Sequence, residues 1–174
     1  MVIILMGVSG AGKTVVGQAL AAQLDWRFED ADSFHPAANV EKMRSGIPLN
    51  DDDRKPWLEA LNRGMREWLA NGRNTVLACS ALKARYRQTL RSGVQGPASV
   101  QIVFLKASYE QIDQRLRKRR GHYMPESLLK SQFEALDEPS PEEALIVDAS
   151  QTIPAIVAEI IARLHIAARP DIAS

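Results

Sequence analysis

The sequence predicts a single α/β domain in which a five-stranded parallel sheet lies between two layers of helices. Five short apolar runs alternate along the chain with segments of helical periodicity. Strands covered by helices on both faces are buried, so they read as short apolar runs. The length of 174 residues suits one domain of about 150 residues with a short addition. We therefore place the domain at 1–167 and a frayed tail at 168–174.

The five strands are predicted from apolar runs bounded by glycine or turn residues. The first, Val2–Met6, is uniformly apolar and is followed by a glycine. The second, Arg27–Asp30, has the weakest pattern. The others are expected at 74–79, 100–105 and 144–147. Ligands of such folds collect at the carboxyl ends of the strands, so the residues just after each strand are the first candidates for function.

The helices are predicted from apolar residues spaced close to 3.6 residues apart. The longest would be capped by Asp52 or Asp53 and would end before Gly72. Pro125 is expected to open a later helix, because proline suits a first helical turn. The other helices are expected at 13–24, 36–45, 82–91, about 108–118 and 153–164.

Charge and composition exclude several classes of protein. Lysine and arginine number 22 and aspartate and glutamate 21, so the net charge of +1 gives no reason to expect binding to nucleic acids or membrane surfaces. The longest apolar run is far short of the ~20 residues that span a bilayer, and no signal peptide fits ahead of it. The single cysteine, Cys79, allows no intrachain disulfide. We expect a cytoplasmic protein.

A phosphate-binding loop follows the first strand. It reads Gly7-Val8-Ser9-Gly10-Ala11-Gly12-Lys13-Thr14 and matches G-x-x-x-x-G-K-[ST] in full. Glycines let backbone N–H groups turn toward phosphate oxygens, and the next helix presents its positive end to the same anion. Lys13 can follow the outer phosphates and Thr14 offers a hydroxyl to Mg²⁺. The motif predicts ATP or GTP, with Val15 as a further contact, but leaves the acceptor open.

Two carboxylates, Asp30 and Asp32, follow the second strand. Residues two apart in an extended segment point to the same side. Beside a phosphate loop one would hold Mg²⁺ and the other would accept a proton from an attacking hydroxyl. The alternative is a solvated acidic turn. His35, three residues later, is either a substrate contact or a structural residue.

Three cationic residues are candidates for holding an anionic acceptor. Arg54 either pairs with the aspartates before it or clamps an acid. Lys83 and Arg87, after the third strand, either face the same crevice as Ser80 or lie on a solvated basic helix. Cys79 reads as a small buried apolar residue rather than a nucleophile.

Five of the six residues 115–120 are basic, and Gly121 and His122 follow. One interpretation is a nucleic-acid patch, although the rest of the chain is not basic. The preferred one is a mobile lid over about 115–125 that excludes water from the nucleotide. Arg115 and Arg119 share a helical face. One would stack on the base and the other would reach the transferring phosphoryl group.

These stretches resemble the gluconokinases, a family of small-molecule P-loop kinases related to shikimate kinase and the nucleoside monophosphate kinases. The His35-Pro36 pair and the run Asp52-Asp53-Arg54-Lys55-Pro56-Trp57 are the most specific. The resemblance covers residues 7 to about 139. It rests on 7–14, 30–36, 39–43 with Gly46, 48–58, 79–83 with 86–87, 119–122 and 131–136.

The resemblance implies a three-layer P-loop kinase fold, a homodimer, and ATP-dependent phosphorylation of D-gluconate at its 6-hydroxyl. Asp32 would be the base, and Asp30 would support Mg²⁺ with Thr14. Lys13 and Arg119 would stabilise the transferring charge, and Arg119→Ala is expected to lose about 10²–10⁴ in kcat. Arg115 would cover the nucleotide base. The substrate contacts would be Asp32, His35, Arg54, Lys83 and Arg87.

Two other classes of function remain open at this point. The acceptor could be shikimate, a nucleoside monophosphate or another sugar acid. The protein could instead be a GTP-dependent switch, although the sequence has no Asn-Lys-x-Asp motif for guanine. Acceptor-dependent turnover separates the kinases from the switch.

Overall fold

The predicted parallel sheet is present in the computed structural model, which describes residues 1–96, 99–118 and 126–167. Arg119, His122 and most of the expected lid lie outside the described residues. In that part of the chain all strand pairs are parallel, and the strand order is β2-β3-β1-β4-β5. The strands are β1 (Val2–Met6), β2 (Arg27–Asp30), β3 (Thr75–Ala78), β4 (Val100–Lys106) and β5 (Leu145–Asp148).

Helices cover the sheet on both faces. They are α1 (Lys13–Leu24), α2 (Ala37–Arg44), α3 (Asp51–Ala70), α4 (Ala84–Arg91), α5 (Tyr109–Lys118), α6 (Glu126–Glu134) and α7 (Ile153–Arg163). A 3-10 helix spans Ala31–Phe34. The three-layer α/β prediction is confirmed, and the predicted strand and helix boundaries differ from the observed ones by at most three residues.

Alternate residues of β1 belong to two different hydrophobic cores. Ile3 and Leu5 point to one side of the sheet, where α1, α6 and α7 pack against it. Val2, Ile4 and Met6 point to the other side and meet α3 and α4. All five residues of β1 have no exposed surface, which explains why this strand is uniformly apolar. The end of β1 therefore holds the phosphate loop on a rigid base.

The weak sequence pattern of β2 has a structural cause. It is an edge strand, paired only with β3 among the described strands, so its residues are half-buried or exposed. Its Phe28 packs against α1 at Gly17, where a Cβ would lie 2.6 Å from the ring atom Cε2. The absence of a side chain at Gly17 lets α1 approach the strand that carries Asp30.

Two local predictions are corrected by hydrogen bonds near the site. The cap of α3 is Asn50, not Asp52 or Asp53: its side chain accepts from the Asp53 N–H while Asp53 accepts from the Asn50 N–H. Asp32 lies in the 3-10 helix rather than in an extended segment. Among the described residues, no helix has the length and apolar character needed to cross a bilayer.

Candidate active site

The phosphate loop connects β1 to α1. Two of its glycines, Gly7 and Gly12, have backbone conformations that other residues could adopt only with strain. Gly7 has φ 145°, and a Cβ there would lie 2.9 Å from the carbonyl oxygen of Leu105 on the neighbouring strand. Gly12 has φ 100° and is the N-cap of α1, which receives no hydrogen bond from a side-chain cap. The helix therefore presents its amino end to the loop, as an anion site requires.

Lys13 is folded back onto the loop. Its Nζ donates to the carbonyl oxygens of Gly7 and Val8, each at 3.0 Å. Burial lowers the pKa of this amine, and the nearby carboxylates of Asp32 and Asp30 oppose the shift. A phosphate chain in the loop would give the ammonium a stronger acceptor than these two carbonyls.

One cavity of about 260 Å³ joins the phosphate loop to the two predicted carboxylates. Asp30 and Asp32 come to the same side because the chain turns: Asp30 Oδ1 accepts from the Asp32 N–H at 3.0 Å. Ser80, after β3, also reaches this cavity, as predicted. The lining residues are Ser9, Gly10, Gly12, Lys13, Thr14, Val15, Asp30, Asp32, Ala78, Ser80 and Gln132.

The oxygen donors in this cavity fit a magnesium ion shared with phosphates. Thr14 offers a hydroxyl, and Asp30 and Asp32 offer carboxylates, the hard ligands that Mg²⁺ prefers. Within residues 1–96, 99–118 and 126–167, no cluster of three or more histidines, cysteines or acidic residues could hold a metal. Mg²⁺ usually keeps waters and binds substrate phosphates through one or two carboxylates, so the Thr14 hydroxyl and the Asp30 carboxylate suffice, and Asp32 remains available to accept a proton.

A second cavity, of about 360 Å³, opens on the other side of the loop. It shares Gly10, Gly12 and Val15 with the first cavity and is otherwise mostly apolar. Arg115 lines it and donates to the carbonyl oxygen of Ala149. Its apolar walls come from Leu116, Ile153 and Ile156. Apolar walls beside a phosphate loop suit a nucleotide base.

His35 is held in place beside the acidic pair. Its ring stacks on Trp57 with centroids 4.6 Å apart and an interplanar angle of 8°, and its Nδ1 lies 3.3 Å from the Asn39 amide nitrogen. Burial lowers the pKa of His35, Asp32 opposes that shift and Arg54 adds to it. The imidazole, Asp32 and Arg54 therefore share one electrostatic environment. Trp57 is buried and donates to the Ala31 carbonyl oxygen, so it is a core residue.

Arg54 and Lys83 meet at Tyr86, but they are engaged to different degrees. Lys83 Nζ lies 3.0 and 3.2 Å from the two carboxylate oxygens of Asp51. Arg54 makes a long contact of 3.5 Å to the Tyr86 hydroxyl, and its guanidinium carbon lies 6.0 Å from the centre of that ring. The same hydroxyl donates to Asp51, and this bond, together with Lys83 and Arg85, holds the Asp51 pKa well below its usual range. The described contacts of Arg54 are thus weaker than those of Lys83.

Arg87 does not face the crevice, and its prediction as a substrate contact is wrong. Its side chain is only 1% exposed. Nε and Nη2 donate to the two carboxylate oxygens of Glu143 at 2.6 and 3.0 Å, and Nη1 donates to the carbonyls of Ala81, Leu82 and Asp137. The guanidinium joins the loop after β3 to the segment before β5. The sequence did not indicate this inward orientation, because Arg87 lies on α4 only one helical turn from Lys83, which faces the acceptor side.

Replacing Arg87 is expected to affect stability rather than substrate binding. Arg87→Met removes the donor to the Glu143 carboxylate and to the carbonyls of Ala81 and Asp137. Because Glu143 is 28% exposed, the loss should be at most about 3–5 kcal/mol, the cost of breaking a fully buried ion pair. Urea denaturation should show this loss in the free energy of unfolding. Lys106→Met is the matched control, because Lys106 and Glu138 are both 52% exposed and such pairs contribute at most about 1 kcal/mol. Unchanged stability with a raised acceptor KM would restore the substrate role.

Two larger grooves lie at the opposite edge of the sheet. One, of about 880 Å³, is lined by residues at the starts of β4 and β5, including Val100 and Leu145. The other, of about 800 Å³, lies beside Met1 and Ser99. Neither contains the phosphate loop or the acidic pair. The volume of a groove therefore does not identify the candidate active site in this protein. Ligands of parallel α/β sheets bind at the carboxyl ends of the strands, which is where the phosphate loop lies.

Two residues of the site were not predicted as site residues. Gln132 reaches the phosphate loop from α6, and Asp51 binds the cations on the acceptor side. Gln132 lies in the stretch 131–136 and Asp51 in the stretch 48–58, both of which carry the family resemblance. That resemblance was the one sequence feature that could have marked them as site residues. No local pattern indicated their contacts, because their partners are 123 and 32 residues away.

Comparison with known proteins identifies the family. The family described as AAA domain matches residues 2–139. A probable gluconokinase of Xenopus tropicalis is 47% identical over 173 residues, covering 92% of this chain and 91% of the relative. The chain belongs to the gluconokinase family. A crystal structure of a gluconokinase from Sinorhizobium meliloti 1021 has a TM-score of 0.82 at 43% identity, covering 94% and 90% of the two chains.

The family membership confirms that this protein is a P-loop kinase. A shikimate kinase from Aquifex aeolicus vf5 has a TM-score of 0.62, covering 95% of this chain and 96% of that one. At 21% identity this second likeness concerns the fold alone. Gluconokinases and shikimate kinases thus share the sheet and helix layers described above, and the acceptor has to be argued from the crevice.

Proposed function

We propose that the protein transfers the terminal phosphoryl group of ATP to the 6-hydroxyl of D-gluconate, yielding 6-phosphogluconate and ADP. The observation that carries this proposal is the single cavity that holds both the phosphate loop and Asp32, in a member of the gluconokinase family. The phosphate loop and the Asp32 carboxylate must lie close together, because the hydroxyl that Asp32 deprotonates has to attack a phosphate bound in the loop.

The shapes and linings of the two cavities favour one orientation of ATP. Its base would occupy the apolar cavity between Arg115 and Ile153, and its phosphates would cross the loop into the polar cavity. The terminal phosphate then lies on the side of Asp30 and Asp32. This orientation supports the expected nucleotide contacts, which are Gly7, Val8, Ser9, Gly10, Ala11, Gly12, Lys13, Thr14, Val15 and Arg115.

Each catalytic role is assigned to a group that can perform it. Thr14 and Asp30 would hold Mg²⁺, which when bound neutralises charge on the outer phosphates. Asp32 would accept the proton of the attacking hydroxyl. Lys13 would leave its two loop carbonyls and stabilise charge on the transferring group. Arg119, outside the described residues, is proposed for the same task on the strength of the family motif.

The acceptor side has the groups that a polyol acid requires. Gluconate carries one carboxylate, which needs a cation, and several hydroxyls, which need polar partners. Asp32, His35, Arg54 and Lys83 are proposed as its contacts. Arg54 is the better candidate for the carboxylate, because its described side-chain hydrogen bond is a long one of 3.5 Å to the Tyr86 hydroxyl, whereas Lys83 is already paired with Asp51.

Arg54→Met is expected to raise the KM for gluconate about 10–100-fold, the value of one hydrogen-bonded charge pair at about 1.5–3 kcal/mol. The change in kcat should be smaller, because the carboxylate is remote from the reacting hydroxyl. Lys83→Met is the matched comparison and should raise KM less than about 5-fold, since partly exposed ion pairs are weak. Steady-state kinetics with saturating MgATP measures both. A larger effect at Lys83 would reverse the assignment.

The position of phosphorylation is tested by phosphorus NMR of the product. The 6-hydroxyl of gluconate is its only primary alcohol, so a phosphate there couples to two protons and gives a triplet. Any secondary phosphate ester couples to one proton and gives a doublet. The proposal predicts the triplet after incubation of the protein with MgATP and gluconate. A doublet, or no new ester, would overturn it.

The cellular location and the oligomeric state are proposed from fewer observations. A cytoplasmic site suits a chain whose single cysteine is free and buried. A homodimer is expected from the family resemblance, and light scattering on the purified protein tests it. Binding to nucleic acids or membranes is not part of the proposed function.

A further inference from the structure

Gln132 connects the phosphate loop to a distant helix. Its side-chain oxygen Oε1 accepts a hydrogen bond from the backbone N–H of Ser9 at 2.7 Å. Ser9 is in the loop whose N–H groups are expected to bind phosphate, whereas Gln132 lies on α6. In this structure a protein oxygen therefore occupies one of the donors that a phosphate oxygen would use.

The backbone position of Gln132 is fixed by its neighbours on α6. Leu129, three residues earlier, is 1% exposed and belongs to the core beside α1 and α7. The ring of Phe133 packs on Tyr109 of α5, with centroids 5.4 Å apart. The helix is thus anchored on both sides of Gln132, and a change at the loop would be met by the Gln132 side chain rather than by the helix.

Gln132 lies at one particular end of the nucleotide site. It lines the polar cavity with Lys13, Thr14, Asp32 and Ser80, but it does not line the apolar cavity proposed for the base. With the base in the apolar cavity, the group that reaches Gln132 is the terminal phosphate. Gln132 is therefore placed to distinguish ATP from ADP.

The carboxamide can bind either a loop N–H or a phosphate oxygen. Its oxygen only accepts hydrogen bonds, and so do phosphate oxygens, so the two compete for the Ser9 N–H. Its nitrogen carries two donors. A half-turn of the amide about its last bond replaces the oxygen by this nitrogen, which can donate to a phosphate oxygen. Among side chains of this length, glutamate retains only the acceptor and methionine retains neither function.

We propose that Gln132 is a positioning residue for the terminal phosphoryl group of the nucleotide. Its Oε1 accepts from the Ser9 N–H in this structure, and its Nε2 donates to the terminal phosphate when ATP is bound. The assignment rests on the proposed function for the orientation of the nucleotide, but it does not depend on which acceptor is used.

The test compares an ATP analogue with ADP in the full-length protein. Gln132→Met is expected to weaken binding of magnesium–adenylyl imidodiphosphate by about 10-fold or more, as for one hydrogen bond to a charged group. Binding of MgADP, which lacks the terminal phosphate, should change less than about 3-fold. Gln132→Glu should weaken the analogue further than Gln132→Met does, because its carboxylate repels the phosphate. Isothermal titration calorimetry without acceptor measures all of these constants.

Glu134→Met on the same helix is the matched control, because Glu134 is 65% exposed; it should leave both constants unchanged. Equal weakening of both nucleotides by Gln132→Met, with a lower Tm, would indicate a merely structural role and overturn the proposal. Tighter binding of both would show that the amide only obstructs the loop, which also overturns it. Unchanged binding of both nucleotides to the Gln132→Met variant would also overturn the proposal. Since no acceptor is present, a failure to phosphorylate gluconate would be a separate result.

Discussion

The Asp32→Asn variant is expected to lose about 10²–10⁴ in kcat, the contribution of a positioned general base. Asparagine keeps the size of the side chain but cannot take a proton from the attacking hydroxyl. The KM for MgATP should change little, because the phosphate loop and Lys13 are intact. Steady-state kinetics over a range of pH measures the effect.

The control for Asp32→Asn is Asp52→Asn, which removes the same charge from an exposed position at the start of α3. It should keep kcat near that of the parent protein. If Asp32→Asn also keeps a near-normal kcat, Asp32 is not the base. The acidic pair would then be left with binding roles only.

The Lys13→Met variant is expected to lose at least about 10²–10³ in kcat, as when one preorganised donor to a developing charge is removed. Methionine retains the apolar stem of the lysine, which is packed in the loop, and removes only the ammonium. The fold should survive, since among the described residues the hydrogen bonds of Nζ go to two loop carbonyls.

Single-turnover kinetics with saturating ATP separates the transfer step from nucleotide binding in the Lys13 variant. Lys106→Met, at an exposed position on the last residue of β4, serves as the control and should be fully active. A weaker ATP affinity with an unchanged transfer rate would mean that Lys13 binds the phosphates without stabilising their transfer.

The elements that a local pattern determines could be predicted from the sequence. The uniformly apolar run at Val2–Met6 and the glycines after it indicated a buried strand and a phosphate loop, because sheet burial and positive φ each restrict the residue type directly. The meeting of Asp30 and Asp32 with Lys13 was also predicted, since the carboxyl ends of parallel strands share one edge. The structure confirms both.

The features that depend on distant partners could not be predicted. Arg87 has the same charge and helical setting whether it faces solvent or the carboxylate of Glu143, 56 residues away. The choice of Asn50 over Asp52 or Asp53 as the α3 cap followed from a reciprocal pair with Asp53. Three consecutive aspartates gave no basis for ranking these positions. Side-chain orientation decides such cases, and it is set by the tertiary fold.

The most direct test of the account is ADP release in a coupled assay with MgATP and one acceptor at a time. The acceptors are gluconate, shikimate, AMP, CMP and none. The account predicts strong release with gluconate alone, because the crevice offers the Arg54 guanidinium and polar groups beside Asp32. Strong release with another acceptor would contradict the crevice assignments. Release no faster than without acceptor, while ATP still binds, would contradict the kinase function itself.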